Sequence, residues 1–309
     1  MTSSPPLTGA SQPATSIAFD VPAGACDCLT HIFGDPARFP LSPTRTYTPE
    51  PASIAEILAL HRALQITRVV IVQPTIYGTD NACTLDALEQ LGASARGVAV
   101  VDATIPATQL DEMDRQGVRG IRVNLETVGL SDPAVARERL QAAIARVKDR
   151  RTWHIQVYTR PRMIDAMRDL LETCPVHVSF DHFGGARLGD GSIDNRGFGL
   201  VLELLRAGKA SVKLSAPYLA SSSVPGFADV VPLARQLVAA NPSQVLWGTN
   251  WPHPNSGHGE RRRPSDVSPL RRVDDGAILN LMPLWVPDAD VRKAILVDNP
   301  ARLYGFDAA

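Results

Sequence analysis

Two histidines, an arginine and an asparagine stand at the ends of β-branched runs, where their side chains could meet over one substrate. His31 closes ACDCLTHIFG, Arg122 lies in GIRVNL, His182 in FDHFGG and Asn250 in LWGTNWPHP. An imidazole can polarise a carbonyl or accept a proton, and a guanidinium grips a carboxylate through a planar fork of donors. An aspartate at position 250 would take a proton from attacking water; an amide cannot. Further candidates are Thr75 and Tyr77 in QPTIYGTDN, Asn124 and Glu126 on the face of Arg122, Gln156 and Tyr158, Ser215 and Tyr218, and His253 between two prolines. Tyr77, Tyr158 and Tyr218 read equally as substrate contacts or rim packing, and Asp102 and Asp181 as turn caps. Arg122 is costly to bury alone, so it meets either Glu126 or a substrate carboxylate. Strand alternation puts Asp27, Leu29 and His31 on one face. A histidine at 29 would complete an imidazole pair able to hold a metal, whereas Leu29 makes an apolar wall.

These residues need a scaffold that gathers strand ends. Short β-branched runs at 25–33, 68–73, 97–102, 118–124, 153–158, 176–181, 211–215 and 245–249 alternate with amphipathic segments at 53–64, 84–91, 133–147, 161–171, 198–207 and 227–240. Eight strand-helix alternations in one chain predict a closed (β/α)8 TIM barrel, an α/β fold whose working residues sit at the carboxyl ends of the strands. Ser53 opens S-I-A-E, a capping-box pattern, and Pro133 and Pro161 stand where a first helical turn tolerates proline. The expected organisation is a disordered tail over 1–22 and one barrel domain over 23–309, with a long Gly-, Ser-, Pro- and Arg-rich loop at 254–275 after strand eight. The loop arginines are read as solvated surface.

Composition narrows the class. With 309 residues and 44% hydrophobic content the chain can bury a sizeable core. A net charge of −1, with basic residues crowded only at 261–272, gives no electrostatic case for nucleic acid. Lysine occurs only at 148, 209, 213 and 293, so the positive charge is nearly all arginine, which suits carboxylate recognition. The cysteines at 26, 28, 83 and 174 are too scattered for a disulfide framework and read as reduced. Neither a signal peptide nor a membrane span is expected, which predicts a soluble cytoplasmic protein without a membrane partner.

In order and spacing, CDCLTHIFG, YTPEPAS, YGTDN with GVAVVD, GIRVNL, FDHFGG, VKLS, LWGTNWPHP and LVDNPARLYGF resemble the amidohydrolase superfamily over about residues 26–306. The resemblance is to the branch of 2-pyrone-4,6-dicarboxylate lactonase and D-galactarolactone isomerase. It implies a barrel that hydrolyses or isomerises small carboxylated lactones, with no required metal and no cofactor. It also implies that His31 and His182 polarise the lactone carbonyl, that Arg122 holds a carboxylate and that Tyr47 contacts substrate. Asn250 stands where the pattern has its water-activating aspartate, and Leu29 where it has the first strand-one histidine. Thr127, Val128 and Gly129 occupy the region of a further carboxylate-binding arginine, which makes a doubly carboxylated pyrone a poor fit. The expectation is a metal-independent hydrolase for a small carboxylated lactone, with His182 or Glu126 as proton acceptor. The alternatives are a non-hydrolytic isomerase, decarboxylase or cyclase, or a silent ligand-binding homologue; a homo-oligomer stays open.

Overall fold

The computed structural model describes residues 9–11, 14–188, 195–223, 226–256 and 263–307. Its centre is one sheet of eight parallel strands in chain order: β1 (Cys26–Thr30), β2 (Arg68–Val72), β3 (Ala95–Ala99), β4 (Val118–Asn124), β5 (His154–Tyr158), β6 (Val178–Phe180), β7 (Ala210–Ser215) and β8 (Val245–Gly248). Helices cover the outer face, as the alternation predicts. Ser53 caps the helix Ile54–Leu64 with a reciprocal Glu56 bond, and Asp132 with Pro133 starts Pro133–Val147. One helix, Ala107–Arg115, escaped the pattern because only Leu110 and Met113 of its residues are buried, too thin an apolar stripe to read as periodicity. The expected helix 161–171 is two short ones, Pro161–Ala166 and Arg168–Glu172. Among the described residues no helix is long and apolar enough to cross a membrane.

Period-two alternation divides the strands between two surroundings. Val69, Ile71, Ile121, Val123, Ile155, Val157, Val212 and Leu214 pack outward in the helix-facing core. Facing inward, Cys28, Val70, Val72, Val98 and Leu246 form an apolar cluster with Tyr304 and Phe306 from the end of the chain. The inward residues of β4 to β7 are instead Arg122, Gln156, Ser179, Asp181, Ser211, Lys213 and Ser215, all buried. One half of the barrel lumen is therefore polar, where such barrels are ordinarily filled by branched aliphatic side chains.

The sheet closes between β8 and β1 through fewer bonds than a regular ladder. The Asn250 N–H donates to the Leu29 carbonyl at 2.9 Å, and the His31 N–H to the Trp251 carbonyl at 2.8 Å. Below them the Asp27 carboxylate accepts from Thr249 N–H (3.0 Å), Thr249 Oγ1 (2.6 Å), Leu29 N–H (3.2 Å) and His61 Nε2 (3.2 Å). The pairing of β1 with β2 shifts register between Asp27 and Thr30, a bulge that breaks strict alternation. This corrects the expectation that Asp27, Leu29 and His31 share a face. Asp27 turns to the helix bearing His61, while Leu29 packs with Cys26, Cys28 and Val70.

Within the segment 1–22, expected as a tail, the described residues make contacts with the barrel. The Ala10 carbonyl accepts the Trp251 indole N–H at 3.0 Å, Thr15 binds Asp274 through N–H (2.8 Å) and Oγ1 (2.6 Å), and the Ala18 N–H donates to Asn280 at 2.7 Å. Residues 1–8 and 12–13 lie outside the described residues. In the long loop, Val267–Ser268 pairs in parallel with Thr48–Pro49, which fixes the loop beside Tyr47; 257–262 lie outside the described residues.

Replacing Asp27 by alanine strands four donors at the seam and should cost about 3–5 kcal/mol, the usual price of breaking a buried charged pair. Urea unfolding would measure it. Asp27→Asn, which keeps one acceptor oxygen, should lose less, and equal stability of Asp27→Ala and the parent would show that the seam does not depend on this carboxylate.

Candidate active site

At the carboxyl ends of the strands lies a cavity of about 310 Å3. It brings together His31, Tyr47, Thr75, Arg122, Asn124, Glu126, Tyr158, His182 and Asn250 from the expected residues, and adds Arg160, Arg187 and Arg271. The other expected residues stand behind its wall. Gln156 donates to Asp181 at 3.0 Å, Ser215 braces His182 Nδ1 at 2.9 Å, and the Tyr77 hydroxyl accepts the Gly34 N–H at 2.9 Å. Tyr218 and His253 form part of a buried chain behind Asn250.

The two imidazoles differ in what their partners demand. His31 Nδ1 lies 2.7 Å from the Val72 carbonyl, which can only accept. Nδ1 therefore carries the proton, and neutral His31 keeps the Nε2 lone pair. Its ring stacks on Phe33, with centroids 6.3 Å apart and planes 8° from parallel. Burial, then the charge of Arg122, lowers its pKa to about 3. Ser215 can donate to His182 Nδ1, which would put that ring's proton on Nε2. His182 meets Tyr158 edge to face at 4.7 Å. Burial lowers the His182 pKa to about 4; Asp181 opposes the shift, and Arg122 and Lys213 add to it. Tyr47 and Tyr158 are each pushed up to about 12 by burial, so both phenols keep their protons as donors.

Beneath them lies a buried charge network. Arg122 gives Nη1 to the Gln73 carbonyl at 3.2 Å and Nη2 to Asp181 at 3.4 Å, while its Nε has no hydrogen-bond partner. Its carboxylate neighbour is thus Asp181, and Glu126 is instead bound by Arg160 (2.7 Å) and Arg187 (3.0 Å). Lys213, wholly buried, sits 3.2 Å from the other Asp181 oxygen. Burial pushes Asp181 up, but Lys213, Arg122 and His182 outweigh it and hold the acid at about 2. Lys213 is lowered by the same burial, against the pull of Asp181. Period two from Ser215 leads to Lys213, so the sequence did contain that signal; Arg160, Arg187 and Arg271 belong to loops and carried none.

Asn250 is held from outside the cavity. Its Nδ2 donates to the Tyr218 hydroxyl at 2.9 Å, Tyr218 lies 3.0 Å from His253 Nδ1, and His253 Nε2 lies 2.9 Å from buried Asp275. Asn250 Oδ1 is buried without a partner. His182, Ala216, Asn250 and His253 all have positive φ, at 49°, 48°, 69° and 62°. Such strain gathers at functional sites, and Asn, Asp and His bear it better than most residues. The backbone at 250 thus accepts either an amide or a carboxylate.

No cluster of three His, Cys, Asp or Glu suited to a metal occurs among the described residues. Asn250 offers this mouth only a neutral amide, and Leu29, packed with Cys26, Cys28 and Val70, has no donor atom, so the residues fit a metal poorly. The buried imidazoles also set a pH dependence. An unfolded histidine titrates near about 6.5, well above the folded His31 and His182. The unfolded chain therefore takes up protons first on acidification, and stability should be complete above about pH 6.5 and fall as pH drops towards the folded values. The urea midpoint should be lower at about pH 5 than at pH 7.5, with the His31 and His182 ring signals unmoved between those values. Titration of either signal near its ordinary value would contradict the burial.

Known proteins share both the sequence and the architecture. The amidohydrolase family profile matches residues 26–306. A 2-pyrone-4,6-dicarboxylate hydrolase of Comamonas testosteroni is 36% identical over 93% of this chain and 92% of its own length. A 4-sulfomuconolactone hydrolase of Rhizobium radiobacter is 33% identical over 97% and 96%. An apo crystal structure from Agrobacterium tumefaciens superposes with a TM-score of 0.79 at 26% identity, over 96% of this chain and 100% of that one. The eight-stranded barrel, the strand-end cavity and the match from Cys26 to Phe306 place this chain in the amidohydrolase family.

Proposed function

We propose that this protein hydrolyses a small carboxylated lactone without a metal, using two neutral imidazoles in place of an aspartate or a metal-bound hydroxide. The observation that carries the reading is the bond from His31 Nδ1 to the Val72 carbonyl. It leaves neutral His31 as a proton acceptor, so in this reading His182 polarises the carbonyl, a part the expectation gave to both histidines. Glu126, expected beside His182 as an acceptor, is instead engaged by Arg160 and Arg187. The relatives' names, hydrolases of a pyrone dicarboxylate and of a sulfomuconolactone, support a cyclic ester as substrate.

In this reading Arg122, which lines the cavity, receives the substrate carboxylate. The cavity lining carries Arg122, Arg160, Arg187 and Arg271 against the carboxylate of Glu126, a balance that favours an anionic ligand. The last three offset the arginine missing at 127–129. His182 and the phenols of Tyr47 and Tyr158 donate to the carbonyl oxygen as it becomes an oxyanion. Water bonds to Asn250 Oδ1, attacks the carbonyl carbon and gives its proton to His31 Nε2. The ring C–O bond then breaks, and the leaving oxygen takes that proton back, so lactone and water become one hydroxy acid.

A panel of carboxylated lactones assayed by proton NMR in oxygen-18 water, with and without chelator, tests this. One labelled oxygen should enter the product, chelator should leave the rate unchanged, and His31→Gln or His182→Gln should lower kcat by about 10²- to 10⁴-fold. Arg122→Gln should act mainly on KM. Leu29 and the amide of Asn250 favour a second reading, isomerisation without water, and that would produce an unlabelled isomer. Turnover that survives His31→Gln unchanged would sink the proposed base.

A further inference from the structure

A second cavity, of about 330 Å3, opens at the opposite end of the barrel, where the strands begin. Arg119, Arg151, His154, His177, Ser211 and Arg302 line it, and no carboxylate does so among the described residues. Arg119 is matched by Asp114 at 3.3 Å outside this lining, Arg302 donates to the Ser243 carbonyl and Asn299, and Arg151 is exposed. Two lining groups stand out. Both ring nitrogens of His154 and the hydroxyl of Ser211 are buried without a hydrogen-bond partner, on residues 1% and 2% exposed. Such groups cost about 1–3 kcal/mol each when left unsatisfied, so natural cores seldom leave them so. A barrel's amino-terminal end ordinarily serves stability alone, which does not require three arginines around one hollow.

We propose that this hollow is a second binding site, distinct from the catalytic mouth, for a small organic polyanion carrying carboxylate or phosphate groups. The volume falls in the range of small-molecule pockets and exceeds what a single inorganic ion fills. Guanidinium groups supply the bidentate donors that either oxyanion accepts. The His154 ring and the Ser211 hydroxyl complete the set with neutral donors. Burial and Lys213 lower His154 to about 3, and burial and Arg302 lower His177 to about 4, so both rings are neutral when the site is empty and gain basicity beside a bound anion.

The test is a titration of the full-length protein with citrate and, separately, inorganic phosphate. The ring signals of His154 and His177 report this cavity, and those of His31 and His182 report the mouth. Saturable movement of the His154 and His177 signals is expected, weakened about ten-fold or more by Arg302→Gln and by Arg151→Gln. Arg122→Gln, in the other cavity, should leave that affinity unchanged. Tighter binding of citrate marks a polycarboxylate site, and tighter binding of phosphate a phosphate site. Arg151→Gln alters an exposed residue, so it keeps the test sound if Arg302→Gln disturbs the fold. The proposal falls if the His154 and His177 signals stay still up to tens of millimolar of both anions, or move with the same affinity in the Arg151→Gln protein.

Discussion

The closure of the sheet between its first and last strands is the constraint on which the active site depends. His31 ends one of these strands and Asn250 follows the other, and the backbone bonds that join them are the seam itself. A bulge in the pairing of β1 with β2 lies beside this seam, and the Asp27 carboxylate accepts from Leu29 on one side of the seam and Thr249 on the other. A buried carboxylate that accepts from both strands and from His61 is more selective than an apolar contact, because its directional bonds are satisfied in one register only. The two positions most distant in sequence are thereby brought to one cavity wall.

The lumen is built in two halves for a related reason. Cys28, Val70, Val72, Val98 and Leu246 make a dry side continuous with Leu29. Across from them the network of Arg122, Asp181 and Lys213 holds charge that burial alone would forbid. Its positive members help keep the imidazoles of His31 and His182 neutral, a state that suits one ring to accept a proton and the other to donate. In the proposed reaction, chemistry that an aspartate or a metal would supply falls to ring nitrogens whose protonation is set by their neighbours.

Asn250 illustrates how a changed residue can keep its place. Its backbone adopts a left-handed conformation that asparagine and aspartate both bear, and its amide is fixed by Tyr218, His253 and Asp275. An amide there cannot take the proton that a carboxylate in the same backbone geometry could. The unpartnered Oδ1 still offers an acceptor to water, which is consistent with hydrolysis if the proton goes to His31.

The sequence by itself determined the barrel, most strand positions, the capping of the helix after Ser53 and the strand-end residues His31, Arg122, His182 and Asn250. These follow from local rules, namely alternation, caps and the chemistry of residue types at the ends of runs. It also showed that Leu29 and Asn250 lack the groups a metal or a water-activating base requires. Only the tertiary structure decided who meets whom. Arg122 pairs with Asp181 and not Glu126, because the closed lumen brings the inward side chain of β4 to the end of β6, two strands away, while Glu126 lies beyond the end of β4. The bulge turned Asp27 outward, Val72 chose the tautomer of His31, and Arg160, Arg187 and Arg271 reached the mouth from loops. Such contacts join residues tens to hundreds of positions apart, and no local pattern encodes the closure that makes them neighbours.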